Sequence, residues 1–464
     1  MKTVITIIIL FACGSLGLAQ TATQTPIQKQ NEGKIRTSIS GPGISGLPLQ
    51  NPGRILVLQT ERTARIAEIQ TALQKDGFDG WLFYDFRGSD ILAPRILKTE
   101  RLGGSRRWFY YVPAKGEPVK VVHAIEPEQL DSLPGKKLIY REWQLLREQV
   151  GKALYGEAKS AGRKVRIAMQ YSPNNDIPYI ARVDAGTVEM VRTLGVTIDS
   201  SADLVQQFEA VWTPEQLAMH KEAAEKLQRI TLETFADLKR RITRYIPTTE
   251  IDVQQFMMQR LSEEGLAASP MIVAVNANAA SPHYFPTKER NSPIKEGDLV
   301  LIDSVTKLMK PKAPAADLTW VGYVGATVPG EYVKIWNVVF GAQQEAFNFV
   351  RDAFRGKRSI TGAQVDDVSR EYIRKAGYAD QFLHRTGHSI GEDGHGNGAN
   401  IDNLETRDSR RLIPGTAFSL EPGIYLAGKF GIRSEIDVYV SEDDAIITAP
   451  HQTEILAIMK KGKF

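Results

Sequence analysis

The chain has 464 residues, 42% of them hydrophobic and 24% charged, with a formal net charge of +4. This is ordinary globular composition, long enough to bury sizeable cores in two or three domains. The charge is small for the length and no lysine or arginine run stands out, which removes the electrostatic case for nucleic acid or an anionic membrane surface as partner.

The chain opens with MKTVITIIILFACGSLGLAQ. A basic start, an apolar run and small residues ending at Ala19 mark residues 1–19 as a signal peptide rather than a membrane anchor, so a periplasmic or secreted protein is expected. Cys13, the one cysteine, lies inside this segment. Anchoring as a lipoprotein through Cys13 is the alternative, but Phe11 fits a lipobox poorly. A mature chain without cysteine has no disulfide and no thiol nucleophile. No other stretch reaches about 18 apolar residues, so no transmembrane segment is expected.

Residues 20–53, rich in Gln, Thr, Ser, Gly and Pro, read as a flexible lead-in. From 54 to 209, helix-like and strand-like segments alternate. ERTARIAEIQTALQKDG has helical apolar spacing and stops at glycine, and residues 143–160 are also helical. GWLFYDF, RRWFYYV, VKVVHAI, KKLIY and VRIAMQ read as strands. The expected product is an α/β domain, a sheet covered by helices. The region 210–464 begins with a long amphipathic helix, with Thr213 as N-cap and Pro214 in the first turn. A helix from Thr249, strands MIVAVN and DLVLIDSV, helices near 331–354 and 361–376, and strands near 417–426 and 430–449 follow, an α+β pattern. No internal repeat is visible.

HRTGHSIGEDGHGNG, residues 384–398, concentrates three of the chain's seven histidines among five glycines. It reads as an idle loop, a zinc site, or part of a larger site. His384 and His388 stand four apart as in some zinc helices, but Gly387 and Gly391 oppose a regular helix. Acids in apolar surroundings favour the larger site. LVLIDSV carries Asp303, AADLTWVGYV carries Asp317, FSLEPGIYL carries Glu421 and GIRSEIDVYV carries Glu435. Carboxylates are rarely buried unless paired or bound to metal. With His388 they form an oxygen and nitrogen donor set suited to Mn²⁺, Co²⁺, Fe²⁺ or Zn²⁺. Each also has a plain reading: a turn acid, an ion pair of Glu435 with Arg433, a hydrogen-bonded core histidine. Their combination and order carry the signal.

In that order, with SPHY (281–284), GDLVLID (297–303), ADLTWVGYV (316–324), HRTGHSIG (384–391), SLEPGIY (419–425) and GIRSEIDVYV (431–440), the chain resembles the pita-bread metallopeptidases, most of all their aminopeptidase P and prolidase branch. The resemblance covers about 212–464. It implies a C-terminal pita-bread domain at 210–464 behind a creatinase-type N-terminal domain at 54–209. It also implies two divalent ions, most of all Mn²⁺, with Asp303 and Asp317 on the first, His388 and Glu421 on the second, and Asp317 and Glu435 bridging. A metal-bridging hydroxide would attack, Glu421 would take the proton, and His283 and His395 would hold the substrate carbonyl and the oxyanion. Arg433 would support the ligands. His384 would be structural. The implied substrates are dipeptides or longer peptides with proline at P1′, cleaved at the Xaa-Pro bond. The family is often dimeric, so a homodimer is allowed. The alternative is a non-catalytic or metal-free relative, a creatinase-like hydrolase or a peptide-binding protein on the same fold.

This sequence departs from the family in places. Asp303 and Asp317 stand fourteen positions apart, a longer separation than usual. Val305 replaces a glycine, Trp320 an arginine, and Gly396 an acid. A longer hairpin tip accommodates the extra residues. The departures point to altered substrate-side contacts.

Overall fold

A computed structural model describes residues 52–99, 102, 104–156 and 164–462. The expected signal peptide, Cys13 and residues 20–51 of the expected lead-in lie outside the described residues.

The chain first forms α1 (Pro52–Lys75), β1 (Gly80–Asp85), α2 (Ala93–Ile96), β2 (Trp108–Pro113), β3 (Val119–His123), β4 (Lys136–Tyr140), α3 (Trp143–Tyr155), β5 (Arg166–Met169), α4 (Ala185–Arg192), β6 (Thr197–Ser200) and α5 (Ala202–Glu209). The strands make one sheet in the order β4-β3-β2-β1-β5-β6. Central β1 runs antiparallel to β2 and parallel to β5. Its two-residue period sends Trp81 and Phe83 to one face, against Ile66 and Ile69 of α1. Leu82 and Tyr84 go to the other face, against Leu146 and Val150 of α3. Five strands coincide with the apolar runs in the sequence. β6, read TIDS, has no such alternation and was not expected.

The second region forms α6 (Pro214–Thr243), α7 (Glu250–Glu263), β7 (Ile272–Val275), β8 (Leu299–Thr306), β9 (Ala316–Tyr323), α8 (Gly330–Arg355), α9 (Gly362–Lys375), β10 (Ala417–Leu420), β11 (Gly423–Leu426), β12 (Phe430–Arg433), β13 (Ile436–Val440), β14 (Ala445–Ile447) and β15 (Leu456–Ala457). Helices α6, α7 and α9 each begin with a capping box: Thr213 with Gln216, Thr249 with Asp252, and Thr361 with Gln364. Such caps satisfy otherwise orphaned N–H groups and contribute about 1 kcal/mol each. Two helices followed by antiparallel strands therefore occur twice, a repeat of element order that is invisible in the residues.

The strands pair as β15-β9-β8-β7, β10-β13-β14 and β11-β12. One face of β8 and β9, with Val300, Ile302, Leu318 and Trp320, packs on α6 and α7 through Leu227, Phe235 and Met257. The other face is apolar at one end, where Leu299, Leu301 and Val321 meet Ile335, Trp336 and Val339 of α8. Towards the hairpin tip the same face presents Asp303, Val305, Asp317 and Thr319 instead. Among the described residues no helix is long and apolar enough to cross a membrane.

The strands expected near 417–426 and 430–449 are corrected. The first is two strands broken at Glu421-Pro422, and the second is three, broken at Ser434-Glu435 and at 441–444. β10 pairs with β13 whereas β11 pairs with β12, so the chain changes partner at both glutamates. Pro422 has no N–H to continue a ladder. Glu421 and Glu435 thus stand at breaks, where a side chain can leave the pleat.

Candidate metal centre

The β8–β9 register sets Asp303 opposite Thr319 and Asp317 opposite Val305. Directly opposed residues share a face, so the two aspartates are diagonal neighbours on it. The longer tip docks on the histidine loop: the Ala315 N–H donates to Gly391 O at 2.8 Å, and Lys307 Nζ donates to Glu392 O at 2.5 Å.

The histidine loop runs along β10 and past its end. The Ser419 N–H donates to His388 O at 2.8 Å, and the Glu421 N–H donates to Thr386 O at 2.7 Å. Asp366 of α9 holds the start of the loop by accepting from Thr386 N at 2.9 Å and Thr386 Oγ1 at 2.6 Å. Gly387 is required by close approach: an added Cβ would lie 1.9 Å from Ser419 O, displacing His388. Gly396 is similar, its Cβ falling 2.8 Å from Gly391 N. Neither has a positive φ, so a shared path and not left-handed backbone selects glycine here.

Donor atoms of Asp317, His388 and Glu435 lie within 4.8 Å of one another, and all three residues are buried. His388 Nε2 is 3.6 Å from Asp317 Oδ2 and 3.5 Å from Glu421 Oε1. The Ser389 carbonyl, which can only accept, lies 3.1 Å from His388 Nδ1. Nδ1 therefore carries the proton, and the Nε2 lone pair faces the carboxylates. Burial, reinforced by His395, holds His388 well below the usual imidazole range.

Burial, and then the Asp303 charge, push Asp317 well above the usual carboxylate range; burial and Asp317 do the same to Glu435. Burial raises Glu421 to about 7 against the opposing Arg433. Four carboxylates at such distances favour protons or cations over a bare anionic cluster. Hard oxygen donors with one imidazole and no sulfur suit Mn²⁺, Co²⁺, Fe²⁺ or Zn²⁺, so the residues fit the expected metal.

Arg433 ties the cluster together. It pairs with Asp303, and donates to Thr319 Oγ1 at 3.2 Å, Tyr425 Oη at 3.0 Å and Pro282 O at 3.3 Å. Tyr425 Oη is 2.7 Å from Nε2 of His384, whose Nδ1 donates to Arg385 O at 2.7 Å. His384 therefore accepts from the tyrosine, and burial lowers it to about 3. It is a support, as the sequence implied. His283 and His395 are exposed at the rim of the cavity, the His395 ring centroid 4.1 Å from that of His388.

All eight residues singled out in the sequence, Asp303, Asp317, His388, Glu421, Glu435, His283, His395 and Arg433, line one cavity of about 280 Å³. A larger cavity of about 460 Å³ lacks this convergence, because its charges pair among themselves, as in Arg166 with Asp199 at 2.5 Å.

Three contributors escaped the sequence reading. Asp437 is buried, raised well above the carboxylate range by burial, and accepts from the Asp317 N–H at 2.9 Å. Thr319 donates to Glu435 Oε2 at 2.7 Å. Arg385 lines the cavity beside the histidines. An acid in the apolar run IDVYV was a usable signal for Asp437, the same one that drew attention to Asp303. The expected effect of Trp320 on the substrate side is corrected. One position of pleat away from Thr319, it points to α6 and α7 and does not line this cavity. Val305 does line it.

Residues 218–442 match metallopeptidase family M24. A Mycoplasma pneumoniae protein whose name carries the words Xaa-Pro aminopeptidase is 31% identical over 227 residues, 48% of this chain and 59% of its own length. The chain thus spans little more than half of that curated relative. In fold, dipeptidase PepE from Mycobacterium ulcerans aligns with a TM-score of 0.61 at 22% identity, covering 86% of this chain and 98% of that one. An X-prolyl aminopeptidase from Caenorhabditis elegans, described as having a di-nuclear active site, aligns with a TM-score of 0.58 at 16% identity, covering 86% of this chain and 64% of its own. The match over 218–442 spans Asp303, Asp317, His388, Glu421 and Glu435, so the part of the chain that carries these residues is similar to metallopeptidase family M24.

Proposed function

We propose that the protein is an exported dinuclear-metal peptidase that hydrolyses the bond between an N-terminal residue and proline. The observation that carries this reading is the buried convergence of Asp317, His388 and Glu435 donor atoms within 4.8 Å, in one cavity with Asp303 and Glu421. The relative named for Xaa-Pro aminopeptidase supports the substrate class. The residues would hold two divalent ions, Mn²⁺ above all, supplying Lewis acidity and a water activated near neutral pH.

Each remaining task falls to a residue of this chain. Glu421 takes a proton from the attacking water and returns it to the departing proline nitrogen. The rim histidines His283 and His395 donate to the scissile carbonyl oxygen as it gains charge. Arg433 holds Asp303 in register and lies 3.9 Å from Glu421. Proline brings no N–H to its scissile bond and has a fixed φ, and the apolar wall of Ile272, Phe285 and Val305 asks for no backbone donor. Export rests on the sequence of residues 1–19, and a homodimer on the family resemblance.

The test is a metal-depleted preparation assayed before and after Mn²⁺ or Co²⁺ addition on Xaa-Pro dipeptides and longer Xaa-Pro peptides. Metal-dependent release of the first residue is expected. No bound or activating ion and no cleavage would overturn the proposal. N-terminal sequencing of the exported chain should begin at Gln20.

A further inference from the structure

Helix α6 runs out in the segment LKRRITRYIP, residues 238–247. It closes by a Schellman motif: the Tyr245 N–H donates to Ile242 O and the Ile246 N–H to Arg241 O, each at 3.0 Å. This puts Tyr245 in the left-handed region, at φ 55°. Glycine is the usual residue there, and Gly265 and Gly377 fill the same place after α7 and α9. Lys357 departs from this after α8, but its Nζ donates to Glu442 O at 2.7 Å. Tyr245 has no such partner. Its side chain is 93% exposed, next to the exposed Ile246, and makes no hydrogen bond or ring contact among the described residues. A bulky side chain in unfavourable backbone, with nothing gained from burial, does not stabilise this fold.

Cations surround this tip. Lys239 Nζ donates to Lys460 O at 2.6 Å and to Gly462 O at 3.3 Å, so the end of the chain lies against the end of α6. Lys239, Arg240, Arg241 and Arg244 are thereby joined by Lys460 and Lys461. Two acids stand among them. Asp237 is buried and pairs with both Arg240, at 3.0 Å, and Arg241, at 2.5 Å. Glu454 is exposed and lines one cavity with both tail lysines. Arg244, Lys460 and Lys461 are exposed and have no ion-pair partner among the described residues. The helix dipole accounts for basic residues in the last turn of α6, but not for Tyr245, nor for lysines brought from 221 positions away. That separation is why the small net charge and the absence of a basic run conceal the patch.

We propose that this tip is a contact surface for an anionic lipid bilayer, with Tyr245 and Ile246 entering the headgroup layer and Arg244, Lys460 and Lys461 facing the lipid phosphates. This reverses the expectation drawn from net charge alone. Tyrosine suits that layer because its ring is apolar and its hydroxyl stays wet. The contact is peripheral, since among the described residues no helix is long and apolar enough to cross a membrane. The choice of lipid over nucleic acid rests on the export proposed above, because an exported chain meets anionic headgroups and not nucleic acid.

The test is co-sedimentation of the metal-loaded exported chain with vesicles of phosphatidylcholine alone and of equal parts phosphatidylcholine and phosphatidylglycerol. Parent and variants share one N-terminus, so their differences report the tip. The parent should prefer the anionic vesicles, and the preference should vanish between about 0.1 M and about 1 M salt, as the Debye length shortens from about 10 Å to about 3 Å. Arg244→Gln with Lys461→Gln should weaken anionic binding about 30-fold, at about fivefold for each cation near the surface. Tyr245→Gly should weaken it about tenfold, the effect of removing an aromatic ring from an apolar layer. Its melting temperature should be no lower than the parent's, because glycine suits the left-handed position. All variants should cleave a soluble Xaa-Pro dipeptide at the parent's rate. Equal binding of the parent to both vesicles, or equal binding of parent and variants to the anionic ones, overturns the proposal and leaves the peptidase reading standing. Binding to a duplex oligonucleotide without binding to anionic vesicles overturns it in favour of a nucleic acid. Vesicle binding as expected in a chain that cleaves no Xaa-Pro peptide upholds the contact surface and overturns only the peptidase reading.

Discussion

Arg433 and Asp303 form an ion pair across two strands that are not hydrogen-bonded to each other, β12 and β8. Through Thr319, Tyr425 and Pro282 the same guanidinium fastens three further segments. Arg433→Lys keeps the charge but loses the planar fork. Metal affinity should fall about 10–100-fold, the usual effect of removing a group that orients ligands. Titration of metal-depleted protein with Mn²⁺ checks this, and unchanged affinity would show that Asp303 is held without the arginine.

Glu435→Ala should abolish metal-dependent turnover. Loss of about 4 kcal/mol of transition-state stabilisation corresponds to about a thousandfold in rate. The metal-free variant should stay folded and be no less stable than the parent, because it loses a buried carboxylate repelled by Asp317. Thermal melts with and without Mn²⁺, beside single-turnover assays, measure both effects. An unchanged kcat refutes a bridging role.

Trp320 is 6% exposed, packs with the α6 and α7 core, and leaves its buried indole N–H without a partner among the described residues. Trp320→Phe removes volume without unpairing a hydrogen bond. It should destabilise the chain by about 1–3 kcal/mol, while KM for Xaa-Pro substrates stays within about twofold. A large KM change with an unaltered melt would return Trp320 to the substrate side.

His220 of α6 is fully buried. Its Nδ1 donates to Ala315 O at 2.6 Å and its Nε2 accepts from Thr448 Oγ1 at 2.7 Å. Asp437 lies 3.7 Å away, but burial lowers His220 from 6.5 to about 4, so the ring is neutral and no ion pair forms near neutral pH. Between pH 6.5 and about 4 the unfolded chain binds this proton and the folded one does not. Stability from this group is therefore complete above pH 6.5 and is lost as pH falls through that window, by about 3 kcal/mol. Denaturant titrations of the metal-loaded protein across pH 4–7 should show the loss, and His220→Asn should flatten it. An equal slope in the variant would assign the acid sensitivity elsewhere.

Much of the molecule is legible in the residues. The helices of the second region announce themselves by apolar spacing, and the first also by its Thr213 cap, all local signals. The strands β1 to β5 do so by apolar runs. β6 does not, because its place comes from pairing with β5 rather than from its own four residues.

The sequence by itself determined the chemical set: four carboxylates and an imidazole in apolar settings, in an order that only a shared site makes sensible. It could do so because buried acids without partners are too unfavourable to occur idly. Tertiary structure decided everything that depends on which distant residues share a face. It placed Glu421 and Glu435 at strand breaks, turned Trp320 away from the cavity and Val305 into it, and set Asp437 behind Asp317 across 120 positions of chain. It also brought Arg385 into the cavity, where its guanidinium bonds to the Tyr179 hydroxyl and has no ion-pair partner among the described residues. Such relationships arise from pairing between strands and loops far apart in sequence, and no local pattern encodes them.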